Sequence, residues 1–180
     1  LRLTYEADFA LMNSGGIRAA LTCPAVDKPG DFCPPFSSPY PITRGQLMAA
    51  IPFLNRAATL SLSGAELKAM LENGVSQVHL PQTNNRFPQL SGLCFTYDVS
   101  APVGSRVTGA VRQAEDGSCT GAAIDLTAAS SYTLVENDFM ATGGDAQCQP
   151  TTSSGRPVAA AIVVLVENPI ASALHRVMSP

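Results

Sequence analysis

The 180-residue sequence predicts a single α+β domain, in which short helices are interleaved with the strands of a mixed sheet. Two observations predict it. Stretches of alternating apolar and polar residues recur along the chain, as half-buried strands require. Capping-box patterns open short helices between those stretches. No internal repeat of solenoid length and no regular strand–helix–strand period competes with this reading.

Residues 5–12 alternate as a first strand. Residues 22–41 carry six prolines (24, 29, 34, 35, 39 and 41), which predicts a stiff surface loop and not a domain boundary. Thr43-Arg44-Gly45-Gln46 is a capping box, and the helix it opens should run to about Ile51, where Pro52 stops it. Residues 56–62 alternate as a second strand. Ser63-Gly64-Ala65-Glu66 opens another helix, with Leu67, Met70 and Leu71 on one face and Asn73-Gly74 as its stop. Leu93–Tyr97, Arg106–Arg112 and Tyr132–Val135 read as strands, with a turn at Asp116-Gly117-Ser118. A last helix is expected over residues 158–167.

Composition excludes several classes. A net charge of −3, without blocks of like charge, argues against nucleic acid as a partner. The longest apolar run, Pro157 to Val166, is about half the roughly 20 residues that span a bilayer, so no membrane span is expected. Five scattered cysteines form no Cys-x-x-Cys knuckle. Cys23 and Cys33 flank the proline-rich excursion, Cys94 and Cys119 flank an antiparallel stretch, and Cys148 is left over. The two pairs read as disulfides of an oxidising compartment. The alternative is five buried thiols. The chain opens on Leu1 without a signal-peptide pattern, which suggests a processed product or an excised piece.

Two glycine pairs follow predicted strands: Asn13-Ser14-Gly15-Gly16-Ile17-Arg18 and Phe139-Met140-Ala141-Thr142-Gly143-Gly144-Asp145. Paired glycines let backbone N–H groups approach a ligand, and an arginine beyond the turn offers a planar fork to phosphate. Either pair can also be only a tight turn. With Pro52-Phe53-Leu54-Asn55, Ser63-Gly64-Ala65-Glu66-Leu67-Lys68 and Arg86-Phe87-Pro88-Gln89-Leu90-Ser91-Gly92, these motifs stand in the order and spacing of one family. Over residues 1–180 the chain resembles the C-terminal domain of 5′-nucleotidases, which include UDP-sugar hydrolases.

The resemblance implies a parent of two domains. An N-terminal metallophosphatase domain holds two divalent metals and hydrolyses the phosphate ester, while the C-terminal domain binds the nucleotide or nucleoside. Only the second is present here, probing the first strand onward; the family's preceding helix, with its substrate-binding arginines, would lie upstream of Leu1. The only histidines are His79 and His175, too few for a two-metal centre, so no cofactor and no catalytic residue is assigned to this chain, which alone is expected not to hydrolyse phosphate esters. A secreted, periplasmic or cell-surface location is implied. A non-catalytic ligand-binding or surface module that keeps the fold is the alternative.

Carried over by position, Phe53 and Phe139 resemble the aromatic pair that sandwiches the base. Core packing is the other use of such residues. Asp145 resembles the carboxylate that accepts from the ribose hydroxyls, or else caps its own Gly143-Gly144 turn. Asn13 and Asn55 occupy positions of amides near the base, or brace their loops; Arg18 matches an arginine directed to ribose or phosphate, and Gly15 and Gly16 form the turn before it. Three positions depart from the pattern, each replacing a common glycine: Ser14, Leu54 and Ala146.

Overall fold

The computed structural model describes residues 1–20, 44–79 and 84–146. Cys23, Cys33, Cys148, the proline-rich stretch and the helix expected at 158–167 lie outside the described residues. The described elements are β1 (Phe9–Asn13), α1 (Arg44–Ala50), β2 (Ala57–Ser63), α2 (Gly64–Val75), β3 (Pro88–Ser91), β4 (Leu93–Tyr97), β5 (Val107–Arg112), β6 (Ser131–Asn137) and α3 (Asp138–Ala141). They fall into two compact units: residues 1–15, 55–79 and 84–146 in the first, and 16–20 and 44–54 in the second.

The first unit is built on a four-stranded mixed sheet in the order β2-β6-β1-β3. β6 pairs antiparallel with β2 over seven residue pairs, from Ala57↔Asn137 to Ser63↔Ser131, and parallel with β1 at Phe9↔Leu134 and Ala10↔Val135. β3 closes the other side of β1 antiparallel, Ala10↔Ser91 to Asn13↔Pro88. Alternation puts Phe9, Leu11, Leu60, Leu62 and Leu134 into the main core, with Leu67, Met70, Leu71 and Val75 of α2. Ala7, Ala10, Ala57 and Val135 form a smaller cluster of their own. Fully burying a leucine or phenylalanine contributes about 1.5–3 kcal/mol, so this core carries the unit.

α2 starts where its sequence says it should. Ser63 Oγ accepts from the Glu66 N–H at 3.3 Å, and Glu66 Oε2 accepts from the Ser63 N–H at 2.7 Å, a complete capping box. Its end corrects the sequence expectation. Asn73-Gly74 does not stop the helix, which runs to Val75 with Ser76 as C-cap. The stop is tertiary: the buried Arg106 guanidinium donates to the carbonyls of Val75, Ser76 and Val78, while Glu72 accepts from the N–H groups of Arg106 and Val107. Gly74 serves clearance instead, since a β-carbon there would stand 2.7 Å from Pro88 Cδ.

Other differences are small. The first strand begins at Phe9, because Glu6 has φ 50° and breaks extended backbone before it. Strand β3 and the four-residue α3 carry too little periodicity to be seen in sequence. β4 and β5 form a separate two-stranded sheet, and the structure joins Cys94 of β4 to Cys119 with Cα atoms 5.6 Å apart. No helix among the described residues is long and apolar enough to cross a membrane.

One strand residue is frustrated. Glu136 of β6 lies opposite Ala58 with no solvent exposure, and neither carboxylate oxygen has a hydrogen-bond partner among the described residues. Burial pushes its pKa up from 4.5 to about 8. Below pH 4.5 folded and unfolded chains both hold the proton; between 4.5 and 8 only the folded chain does, so stability falls as pH rises through that window and levels off above it. The loss is on the order of 5 kcal/mol. Denaturant titrations of the wild type and Glu136→Gln at pH 5, 7 and 9 should show the variant gaining relative stability with pH. A constant difference would contradict a buried, neutral Glu136.

Candidate functional site

β1 and β6 run parallel and each ends in an asparagine, so Asn13 and Asn137 lie side by side at the carboxyl edge of the sheet. Their amides are chained in one direction. Asn137 is the N-cap of α3, and its Oδ1 accepts from the Met140 N–H at 2.9 Å. That turns its Nδ2 toward Asn13, whose Oδ1 accepts at 3.1 Å. Asn13 must then present its own Nδ2, which donates to Asp145 Oδ2 at 2.5 Å. Asn13 and Asn137 are both buried, at 4% and 7% exposure, so each amide is committed to this relay. Asp145 Oδ1 accepts no hydrogen bond among the described residues, and the residue is half-buried.

The loop carrying Asp145 is wound left-handed. Gly143 has φ 95°, and Asp145 and Ala146 have φ 54° and 53°. A non-glycine residue there costs about 1–2 kcal/mol. Asp145 does not cap its own turn; its carboxylate is taken by Asn13, and its carbonyl accepts from Asn73 Nδ2 on α2 at 3.3 Å. Phe139, on the exposed side of α3, is 46% exposed and is no core residue. Its ring lies against Gly144, where an added β-carbon would stand 2.5 Å from Cε1 and Cζ. Phe139, Gly143, Gly144, Asp145 and Asn13 therefore converge, and Asn137, Asn73 and Arg86 join them.

The turn after β1 is pinned to the approach of β3. The Ser14 hydroxyl donates to Phe87 O at 2.9 Å and accepts from Gln89 Nε2 at 2.9 Å, while the Gly15 N–H donates to Asn85 O at 2.9 Å. The Ser14 side chain thus adds two tethers to this turn. Asn55 is half-buried in the segment leading into β2. In the second unit, the Arg18 N–H donates to Ala50 O at 2.8 Å and its guanidinium carbon stands 5.9 Å from the centre of the Phe53 ring, a cation–π distance. Phe53 is 54% exposed, Gly16 is buried, and Leu54 has φ 53°, a conformation that favours glycine. Among the described residues no three His, Cys, Asp or Glu side chains cluster as metal ligands would.

Asn137 was legible as an N-cap pattern before Asp138-Phe139-Met140, but not as a partner of Asn13. Asn73 was marked as part of a helix stop and Arg86 as the head of a motif, but neither as a support of Asp145, because their contacts cross 72 and 13 residues of chain. The strained loop yields a prediction. Ala146→Gly should raise stability by about 1 kcal/mol by relieving the left-handed penalty, read as a higher denaturation midpoint at unchanged slope. A lower midpoint would contradict the left-handed conformation at that position.

Known proteins are similar to this chain in sequence and fold. The pattern of the family described as 5′-nucleotidase, C-terminal domain, matches residues 1–151. A trifunctional nucleotide phosphoesterase of Bacillus subtilis is 30% identical over 139 residues, covering 77% of this chain and 8% of that protein. A cell wall protein of Listeria monocytogenes is 29% identical over 140 residues, covering 78% of this chain and 15% of that protein. The crystal structure of a 5′-nucleotidase precursor from Thermus thermophilus superposes with a TM-score of 0.64 at 33% identity, over 92% of this chain and 27% of that one. The chain thus spans a small part of each relative, and the family match covers the strands, the relay and the Gly-Gly-Asp loop together. It belongs to the 5′-nucleotidase family and corresponds to that family's C-terminal domain.

Proposed function

We propose that this chain recognises the nucleoside part of a nucleotide for a larger, exported phosphoesterase. The observation that carries the reading is Asp145: one carboxylate oxygen is held by Asn13, and the other accepts nothing among the described residues. A carboxylate is an acceptor only, so a ribose diol, with two donors, suits that free edge. The exposed Phe139 ring beside it supplies a base-stacking face, and the exposed Phe53 ring is assigned the same role. Arg18 is directed to the phosphate. In this reading Asn13 acts on Asp145 more than on the base, because its amide is already engaged on both sides.

Hydrolysis itself belongs to a separate metallophosphatase domain, where two divalent metals would activate water and neutralise phosphate charge. This chain's part is to bind and orient. The match to a C-terminal domain, and the presence of only two histidines in the whole sequence, support that division. Export to the periplasm, the cell surface or the medium accords with the joined Cys94 and Cys119 and with a cell wall protein among the relatives. That relative also favours a second reading, a surface-binding module that keeps the fold without hydrolysis.

Calorimetric titration of the 180-residue chain with adenosine tests the first reading. Phe139→Ala and Phe53→Ala should each weaken binding by about 1–3 kcal/mol with little change in melting. Gly144→Ala should also weaken it, because the new methyl group displaces the Phe139 ring while keeping every aromatic atom. Binding that none of the three changes, or melting that collapses with binding intact, would overturn the assignment. Adenosine monophosphate with added Mg²⁺ or Mn²⁺ should be bound and not turned over.

A further inference from the structure

We infer that Asn73 and Arg86 form a strut that holds Asp145 in its ligand-ready conformation, making them positioning residues for diol recognition although neither need touch the ligand. The inference rests on the nucleoside reading above and names what sets the affinity of that site. Asp145 sits at φ 54° and ψ 22°, a left-handed conformation that costs a non-glycine residue about 1–2 kcal/mol, so contacts that hold it there matter. Its side chain is tied by Asn13 and its carbonyl by Asn73 Nδ2, so the residue is gripped at both ends.

Asn73 is fixed in turn. Its Oδ1 accepts from Arg86 Nη1 at 3.4 Å, which turns the Nδ2 end of the amide toward Asp145, just as the α3 N-cap turns Asn137 toward Asn13. Arg86 is anchored by its own N–H to Asn84 Oδ1 at 2.8 Å. The neighbouring Gly74 lets this segment approach: a β-carbon there would meet Pro88 Cδ at 2.7 Å and Arg86 O at 3.4 Å. A helix residue otherwise suited to solvent is thus brought under the loop by a glycine that the helix does not need as its stop. Two amide contacts, from Asn13 and from Asn73, converge on the same carboxylate-bearing residue.

Adenosine and 2′-deoxyadenosine, titrated against the 180-residue chain, separate this role from ordinary structural support. Asn73→Ala should lower adenosine affinity about fivefold, the worth of one hydrogen bond, and should narrow the preference for adenosine over 2′-deoxyadenosine. Arg86→Gln should act in the same direction, and it carries the test if Asn73→Ala fails to fold. In an Asp145→Ala background neither change should alter adenosine affinity further, since the strut would have nothing left to hold. Equal losses for both nucleosides, a melting change with binding intact, or full additivity with Asp145→Ala would each overturn the strut alone. An Asp145→Ala variant that binds adenosine as the wild type does would overturn the nucleoside reading, and the strut with it.

Discussion

The site depends on hydrogen-bond direction. An amide offers a donor at one end and an acceptor at the other, so once one end is assigned the other follows. The Met140 N–H, unsatisfied by its own helix, assigns Asn137; Asn137 assigns Asn13; Asn13 then has only a donor to give Asp145. The chain of assignments begins in the backbone of a helix of four residues and ends on a carboxylate. In buried surroundings a reversed amide would leave two acceptors facing each other, a cost of about 1–3 kcal/mol per unsatisfied group. That cost gives the relay its single sense.

Parallel pairing of β1 and β6 makes the relay possible. It sets the last residues of both strands at one edge, and the antiparallel β2 and β3 on either side leave that edge in place. Strand β6 carries an opposing feature in Glu136, whose carboxyl is buried without a hydrogen-bond partner among the described residues one residue before Asn137. A buried acid beside the N-cap of α3, and two consecutive left-handed non-glycine residues at the loop, concentrate strain within the eleven residues from Glu136 to Ala146. Such strain persists only where the surrounding core is over-determined, and here Leu134, Val135 and Met140 are wholly buried around it.

Much of this was legible in the sequence. Ser63 through Glu66 specified the start of α2 to the residue, because capping is a local interaction across three positions. The strands at 57–63, 93–97, 107–112 and 131–137 followed from alternation, with ends shifted by one or two residues. The end of α2 was misread because glycine can mark either a helix stop or a close approach, and only the placement of Pro88 decides between them. Within the site, Phe139, Gly143, Gly144 and Asp145 lie close in sequence and carry a motif. The sequence marked Asn13 as an amide near the base or a loop brace; the structure commits it to Asp145. The sequence marked Asn73 only as part of a helix stop and Arg86 only as the head of a motif; the fold brings Arg86 to Asn73 and Asn73 to Asp145.

A crystal structure of the chain with adenosine bound tests the central claim most directly. The account predicts that Asp145 Oδ1 lies within hydrogen-bond distance of the ribose hydroxyls while Asn13 Nδ2 stays on Asp145 Oδ2 and Asn137 stays on Asn13. Adenosine bound away from Asp145, or Asn13 turned off the carboxylate and onto the base, would contradict it.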